Sequence, residues 1–284
     1  MVKDAGHAWS LEIPIGLATL VIMRCLECLS HPRYSEDENA LSNLRRYWKA
    51  SVNLLAGTIQ KIPSDDAWLD RDPSGEHANR QAGAADDGCE VLYGRAGFLY
   101  ALLRVRKTLA EATTLQSYNE LERSQREEVE VLVSDASLEV VVGSIMKRGK
   151  LGARSYARSV AIEQSGKHIP SLPPLMWSWH GRRYLGGAHG VTGSVYALLS
   201  ASCVLDQDAA NTPYFKKAIH LAHLVMQVDK FVQDGAMKAT DRPWTMYEGM
   251  SGMCCAWAEV LQRLSKGSRT GSSMPGYDDL LTVE

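Results

Sequence analysis

The sequence predicts an all-α protein built from helical hairpins, and three observations support this fold class. Alternation of apolar and polar residues, which is typical of half-buried strands, is almost absent from the 284 residues. Apolar residues instead recur at spacings of three and four, most clearly between residues 39 and 61. A G-x-x-G pair followed four residues later by alanine occurs three times, which indicates a repeated structural unit.

In each copy of this unit, a glycine-rich loop leads directly into an apolar helix. The first glycine permits backbone angles that other residues avoid, and the second glycine and the alanine let the helix approach its neighbours closely. We therefore predict structural roles for the glycines of all three copies, which are Gly94 and Gly97 before Ala101, Gly190 and Gly193 before Ala197, and Gly249 and Gly252 before Ala256. His189 stands in the loop of the second copy and is the candidate functional residue.

The hydrophobic pattern places the helices and loops in order along one domain that spans residues 1–284. Helices are predicted at residues 11–30, 39–61, 94 to about 115, about 125–147, 190 to about 205, 214 to about 232, and 249–264. Pro63 is expected to end the second helix. Long loops are predicted at about 64–88 and 149–183, and a Gly- and Ser-rich flexible tail at about 265–284.

The composition is that of an ordinary globular protein, with 45% apolar and 23% charged residues. A net charge of -2 gives no indication of a nucleic acid or an anionic membrane as partner. The longest apolar run, residues 13–23, is too short to cross a bilayer, and no cleavage pattern follows it. The sequence therefore predicts no transmembrane segment and a cytoplasmic location.

Six cysteines in a chain of this length do not indicate a disulfide scaffold. Cys25 and Cys28 form a C-x-x-C pair, but they lie in an apolar helical run without a second pair nearby. We interpret both as small buried residues and predict no metal site there.

Three stretches carry a resemblance to a known family. They are CEVLYGRAGFLYALL at residues 89–103, PLMWSWHGRRYLGGAHGVTG at 174–193 and WTMYEGMSG at 244–252. The second contains W-x-G-x-x-Y-x-G-x-A-H-G, a pattern too specific to be explained by chance. With these stretches the chain resembles the eukaryotic lanthionine synthetase C-like family over most of its length after residue 88.

This resemblance implies an α/α toroid, a double ring of helical hairpins with glycine-rich loops at one mouth. Its bacterial members add cysteine thiols to dehydrated serine or threonine in peptides, and its eukaryotic members are associated with glutathione. His189 matches the family histidine proposed as acid and base, and Glu90 falls where bacterial members place an aspartate. The residues expected to bind the peptide or glutathione are Tyr93, Arg95, Tyr184 and Glu248.

The chemistry of the family depends on zinc, held by two cysteines and a histidine from two Cys-His-Gly motifs. This sequence contains no Cys-His-Gly, because Trp179 and Ala188 precede its two His-Gly pairs. The hairpins that carry the zinc loops are thus expected to be missing and the toroid incomplete, so no cofactor and no metal ligands are predicted. Cys203, His220 and Cys254 lack the spacing of substitutes.

Three functions remain open at this point. The first is zinc-dependent addition of a thiol to dehydroalanine or dehydrobutyrine, as in a lanthionine cyclase or a glutathione transferase. The second is a non-catalytic regulatory protein that binds a peptide or glutathione. The third is a carbohydrate-active enzyme of the six-hairpin glycosidase type, since α/α toroids also host glycosidases and Glu90 and Glu248 lie in equivalent loops.

Overall fold

The computed structural model describes residues 14–30, 38–70, 88–113, 123–163, 174–179, 183–184, 186–191, 193–194, 197–198, 201 and 233. These residues form the helices α1 Pro14–Ser30, α2 Glu38–Asp66, a short 3-10 helix Ala67–Asp70, α3 Arg95–Thr113, α4 Arg123–Leu132 and α5 Asp135–Glu163. Several of the described positions between 191 and 201 are also helical. No strand occurs in the described part of the chain, so the all-α prediction is confirmed there.

The chain divides into two compact units. Unit 1 comprises Met1–Asp70 and Leu92–Ser144, and unit 2 comprises Arg71–Val91 and Ile145–Glu284. Helix α5 contributes residues 135–144 to unit 1 and residues 145–163 to unit 2. The prediction of one domain over residues 1–284 stays a prediction.

Unit 1 is a packed group of helices in which α1 contacts α2 and α3, and α2 also contacts α4. The apolar positions spaced by three and four along these helices face one another, as an amphipathic pattern requires. The side chains at the centre of this core are Ile22 and Leu26 of α1, Trp48, Val52 and Leu55 of α2, and Phe98, Leu99 and Leu102 of α3.

Helix α2 continues through Pro63 to Asp66, so the prediction that Pro63 ends it is wrong. The extension brings Asp66 to Arg95, the first residue of α3, whose Nη2 lies 3.5 Å from Asp66 Oδ1 and 4.0 Å from Asp65 Oδ2. Arg95 is only 1% exposed, and a buried guanidinium requires a counter-charge. This ion pair favours the extra turn despite the proline.

The expected outer helix over about 125–147 is divided into α4 and α5 at Val133 and Ser134. Ser134 caps α5, because its Oγ accepts a hydrogen bond from the N–H of Ser137 at 3.3 Å. Asp135 in the first turn of α5 adds a favourable charge at the positive end of the helix dipole.

Helix α5 runs to Glu163, so residues 149–163 of the predicted loop at 149–183 are helical. Gly149 lies inside the helix, where it allows the indole of Trp177 to pack directly on the backbone. The N–H of Met176 donates to Gly149 O at 2.9 Å, and Trp177 Nε1 donates to Ile145 O at 3.0 Å. These contacts hold the segment that leads to the histidine loop.

Within the described residues, we find no helix whose length and apolar character would let it cross a membrane. The predicted helices at 214 to about 232 and 249–264, and the tail at 265–284, lie outside the described residues, apart from Gln233 beside the first of them.

We predict that Asp66→Ala lowers the free energy of unfolding by about 3 kcal/mol, because it removes a carboxylate that lies 3.5 Å from a buried guanidinium. Asp65→Ala is the matched control. Its side chain is 36% exposed and farther from the guanidinium, so a loss below about 1 kcal/mol is expected. Urea denaturation of both variants checks the ranking, and equal losses would contradict it.

We predict that Gly149→Ala destabilises the protein by about 1–3 kcal/mol, because the new Cβ would lie 2.6 Å from Trp177 Cζ2. Gly143→Ala, in the same helix, meets no atom within 4 Å. That control is expected to stabilise the protein by about 0.5–1 kcal/mol through helix propensity. Thermal unfolding of the two variants should therefore shift in opposite directions.

Candidate functional site

The candidate site lies in unit 2, where a short segment at residues 88–91 meets the glycine-rich loop at 186–191. Gly88 has a φ of 75°, a left-handed conformation that glycine adopts without strain. The N–H of Val91 donates to Ala188 O at 3.0 Å, and Ser194 Oγ donates to Cys89 O at 2.9 Å. The backbone on both sides of residue 90 is thereby fixed against the loop.

These bonds place Glu90 beside His189, although the two residues are 99 positions apart in the sequence. Glu90 Oε2 lies 3.1 Å from His189 Nδ1, within hydrogen-bond distance. The Glu90 side chain is 2% exposed, whereas that of His189 is 24% exposed. The carboxylate therefore lies behind the imidazole, and the imidazole is the member of the pair that solvent can reach.

Two aromatic side chains border His189. The Trp179 indole stacks on the imidazole, with ring centroids 5.3 Å apart and an angle of 5° between the planes. The Tyr184 ring lies 6.4 Å away at 56°. Trp179 orients the histidine ring and would stabilise its protonated form by a cation–π interaction. No role was predicted for it, although it is the tryptophan of the W-x-G pattern before the loop.

Gly193, the second glycine of its repeat, lies in close contact with its neighbours. A Cβ at this position would collide with Gly187 O and with Val91 Cγ2. The neighbour on one side is backbone, which cannot rotate away as a side chain can. Gly193 therefore lets the helix base, the loop and the Glu90 segment meet.

The structure brings together Glu90, His189 and Tyr184 among the predicted site residues. Tyr93 and Arg95 belong to unit 1, as do the buried Gly94 and Gly97. The expectation that Arg95 contacts a ligand finds no support in its burial, since its guanidinium is directed to Asp65 and Asp66. Three of the predicted residues lie outside the described residues, namely Glu248, Gly249 and Gly252.

The described residues do not fit the zinc site that the family resemblance implies. In this part of the chain, no three His, Cys, Asp or Glu side chains lie close enough together to bind a metal ion. Glu90 and His189 are a pair and present an acid–base arrangement. Cys203, His220 and Cys254 lie outside the described residues.

The geometry of the pair suits proton transfer. A carboxylate only accepts hydrogen bonds, so with Glu90 ionised the Nδ1 of His189 carries the hydrogen. The second ring nitrogen, Nε2, then has a lone pair that can accept a proton. A carboxylate that orients a histidine in this way is a recurrent device in acid–base catalysis.

We predict that Gly193→Ala destabilises the protein by about 2–3 kcal/mol, because the backbone of the histidine loop must move to admit the methyl group. Gly57→Ala is the control, since a Cβ there meets nothing within 4 Å. Urea denaturation measures the stability of both. Unchanged stability of the Gly193 variant would show that the close contact is not required.

Comparison with known proteins identifies a family to which the chain is similar. Residues 40–221 match a family model described as lanthionine synthetase C-like protein. LanC-like protein GCL1 of Arabidopsis thaliana is 29% identical over 110 residues, covering 39% of this chain and 18% of that protein. Glutathione S-transferase LANCL1 of Danio rerio is 27% identical over 119 residues, covering 42% of this chain and 22% of that protein.

The aligned part of the chain thus spans about one fifth of the length of these two relatives. The family model, in contrast, matches more than half of the chain and includes both Glu90 and His189. The chain therefore belongs to the lanthionine synthetase C-like family, and with that membership the predicted fold class, an all-α protein of the α/α toroid type, is confirmed.

Proposed function

We propose that this protein adds a thiol, from glutathione or from a peptide cysteine, to a dehydroamino acid within a peptide. The observation that carries the proposal is the contact between His189 and Glu90 in a loop that matches the family pattern. The imidazole is partly exposed and its carboxylate partner is buried. This is the arrangement expected of a proton-transfer residue and its positioning group.

The reaction requires two transfers of the thiol proton, first to a base and then to the substrate. The sulfur of the thiol forms a bond to Cβ of the dehydroamino acid, and the π electrons of the double bond move to Cα. His189 Nε2 accepts the thiol proton as the sulfur attacks, and then donates it to Cα. The balance is the addition of S–H across the double bond, and the histidine returns to its starting state.

Glu90 determines which ring nitrogen of His189 exchanges the proton. Its carboxylate accepts the hydrogen bond from Nδ1–H, so the exchanging proton is confined to Nε2. The negative charge also stabilises the imidazolium that exists between the two transfers. The indole of Trp179 supports the same cation from the face of the ring.

The choice of glutathione as thiol is supported by the relative from Danio rerio, which is named a glutathione S-transferase. Zinc enters no step of the proposal, because the described residues do not fit a zinc site. We place the reaction in the cytoplasm, where glutathione keeps thiols reduced.

A non-catalytic binding protein is the second candidate, because the sequence has no Cys-His-Gly motif. In that case His189, Trp179 and Tyr184 would contact the peptide or glutathione without proton transfer. A carbohydrate-active enzyme is less well supported. Glu90 is 2% exposed and directed at His189, so it is not placed to flank a glycosidic bond.

We predict that His189→Ala reduces the rate of glutathione addition to a dehydroalanine peptide by about 10²–10⁴-fold, the usual contribution of an acid–base residue. Glu90→Gln keeps a hydrogen-bond acceptor but removes the charge, so a loss of roughly 10-fold is expected. Mass spectrometry of the peptide adduct measures both rates.

Lys61→Gln serves as the control, since this exposed side chain lies in unit 1. Full activity of His189→Ala would contradict the proposed role of the histidine. If the natural protein gives no adduct, binding of glutathione and of the peptide decides between the candidates. Binding that weakens in His189→Ala would then favour the non-catalytic protein.

A further inference from the structure

The proposed addition develops negative charge on an oxygen atom, and the roles of Glu90 and His189 leave that atom without a donor. When sulfur bonds to Cβ of the dehydroamino acid, the displaced electron pair is shared between Cα and the oxygen of the adjacent carbonyl group. An enolate of this kind is stabilised by a hydrogen-bond donor directed at the oxygen. The carboxylate of Glu90 only accepts hydrogen bonds, so the donor must be another group at the site.

The position of this oxygen relative to the histidine is constrained by the substrate itself. Standard bond lengths place a carbonyl oxygen about 2.4 Å from Cα. His189 Nε2 must come within reach of Cα to return the proton. The donor to the oxygen must therefore be a close neighbour of the imidazole.

Several donors around the histidine loop already make bonds within the protein. The N–H groups of Val91 and Val191 donate to carbonyl oxygens of the site. Ser194 Oγ donates to Cys89 O. The guanidinium of Arg183 is directed to side chains of α5. These groups stabilise the loop and the segments beside it.

Tyr184 carries a donor next to His189 that makes no such bond. The centroid of its ring is 6.4 Å from that of the imidazole, and the two planes are inclined by 56°. In the part of the chain that the structure describes, the hydroxyl of Tyr184 makes no hydrogen bond. It is also not one of the polar atoms that are shielded from solvent without a partner. Solvent therefore reaches this hydroxyl.

The backbone of Tyr184 is fixed to the histidine loop. Its carbonyl oxygen accepts a hydrogen bond from the N–H of Val191 at 3.0 Å, and His189 lies between these two residues in the sequence. The side chains of Tyr184 and His189 are both half-buried. A donor that is held in place and has no internal partner gives up no bond when a substrate binds, which is the requirement for a preorganised site.

We propose that the hydroxyl of Tyr184 donates a hydrogen bond to the carbonyl oxygen of the dehydroamino acid. This bond strengthens as the oxygen gains charge during the attack of sulfur. The hydrogen stays on the tyrosine oxygen, so His189 still accepts and returns the one proton that moves. The effect on the rate rests on the proposed function, whereas the contact with the carbonyl oxygen requires only that the peptide binds.

Tyr184→Phe tests this role, because it removes the hydroxyl and retains the ring beside His189. Glutathione addition to a dehydroalanine peptide is expected to lose about 10²–10³-fold in kcat, the usual effect of removing one donor to an oxyanion. KM should rise by less than about 10-fold, since the bond to the neutral carbonyl of the substrate is weaker. An unchanged kcat would overturn the proposal.

Tyr47→Phe is the matched control. It makes the same chemical change at a side chain that is 55% exposed and belongs to unit 1. Its kcat and KM should equal those of the natural protein. Similar losses in the two variants would overturn the proposal, because the effect would then not be specific to the site.

Thermal unfolding separates a catalytic hydroxyl from a structural one. The hydroxyl of Tyr184 has no hydrogen bond to lose within the described residues, so Tyr184→Phe should unfold at the temperature of the natural protein. A clear fall in melting temperature would assign the hydroxyl to the stability of the fold and overturn its catalytic role.

A pair of peptides tests the contact without the reaction. One is the dehydroalanine peptide, and the other has a thioamide in place of the dehydroalanine carbonyl, because sulfur is a weaker acceptor than oxygen. Isothermal titration calorimetry without any thiol measures both affinities. The natural protein should bind the oxygen peptide about 3–5-fold more tightly, and Tyr184→Phe should bind the two equally. The same preference in both proteins would overturn the contact.

Together the rate and binding measurements distinguish the failure of the proposed function from that of the tyrosine. If no adduct forms, but the preference for the oxygen peptide is present and is lost in Tyr184→Phe, only the proposed function fails. If adduct forms at the same rate in Tyr184→Phe and the preference persists, only the role of Tyr184 fails. Absence of both adduct and peptide binding would overturn both.

Discussion

The contact between Glu90 and His189 depends on a backbone arrangement more than on the two side chains themselves. A buried carboxylate is favourable only with a partner, and the partner here comes from a loop 99 positions away. The hydrogen bonds of Val91 and Ser194 and the lack of a side chain at Gly193 hold that loop in place. The geometry of the site is therefore set by the segments beside it.

The sequence was sufficient to predict the helical class, and the resemblance to the family singled out both Glu90 and His189, whose side chains lie 3.1 Å apart in the structure. It was not sufficient to predict which way loop side chains point. The residue after the first glycine of the repeat is buried in both units: Arg95 is 1% exposed and Val191 is 2% exposed. Arg95 was expected to contact a ligand because the family resemblance placed it at the mouth of the toroid, but this position faces the interior for either type of residue.

The residues at which helices end were the second feature that local sequence patterns could not predict. Pro63 and Gly149 both disfavour helix, by the loss of a donor and by conformational entropy. Both nevertheless lie inside helices, because Arg95 and Trp177 make contacts that only the longer helices permit. These contacts come from residues 28 or more positions away, so a short sequence window contains no information about them.

The glycines occupy the same positions in each copy of the repeated unit, whereas the residue before the first glycine differs between the copies. The position before the first glycine is Tyr93 in one copy, His189 in the second and Glu248 in the third. Tyr93 and His189 are both partly exposed, whereas the glycines that follow them are buried. In these two copies the glycine thus takes the buried position of the turn, and the residue before it is the one that solvent can reach. What distinguishes the second copy from the first is therefore His189 and the Glu90 segment behind it, and not the glycine turn that these two copies share.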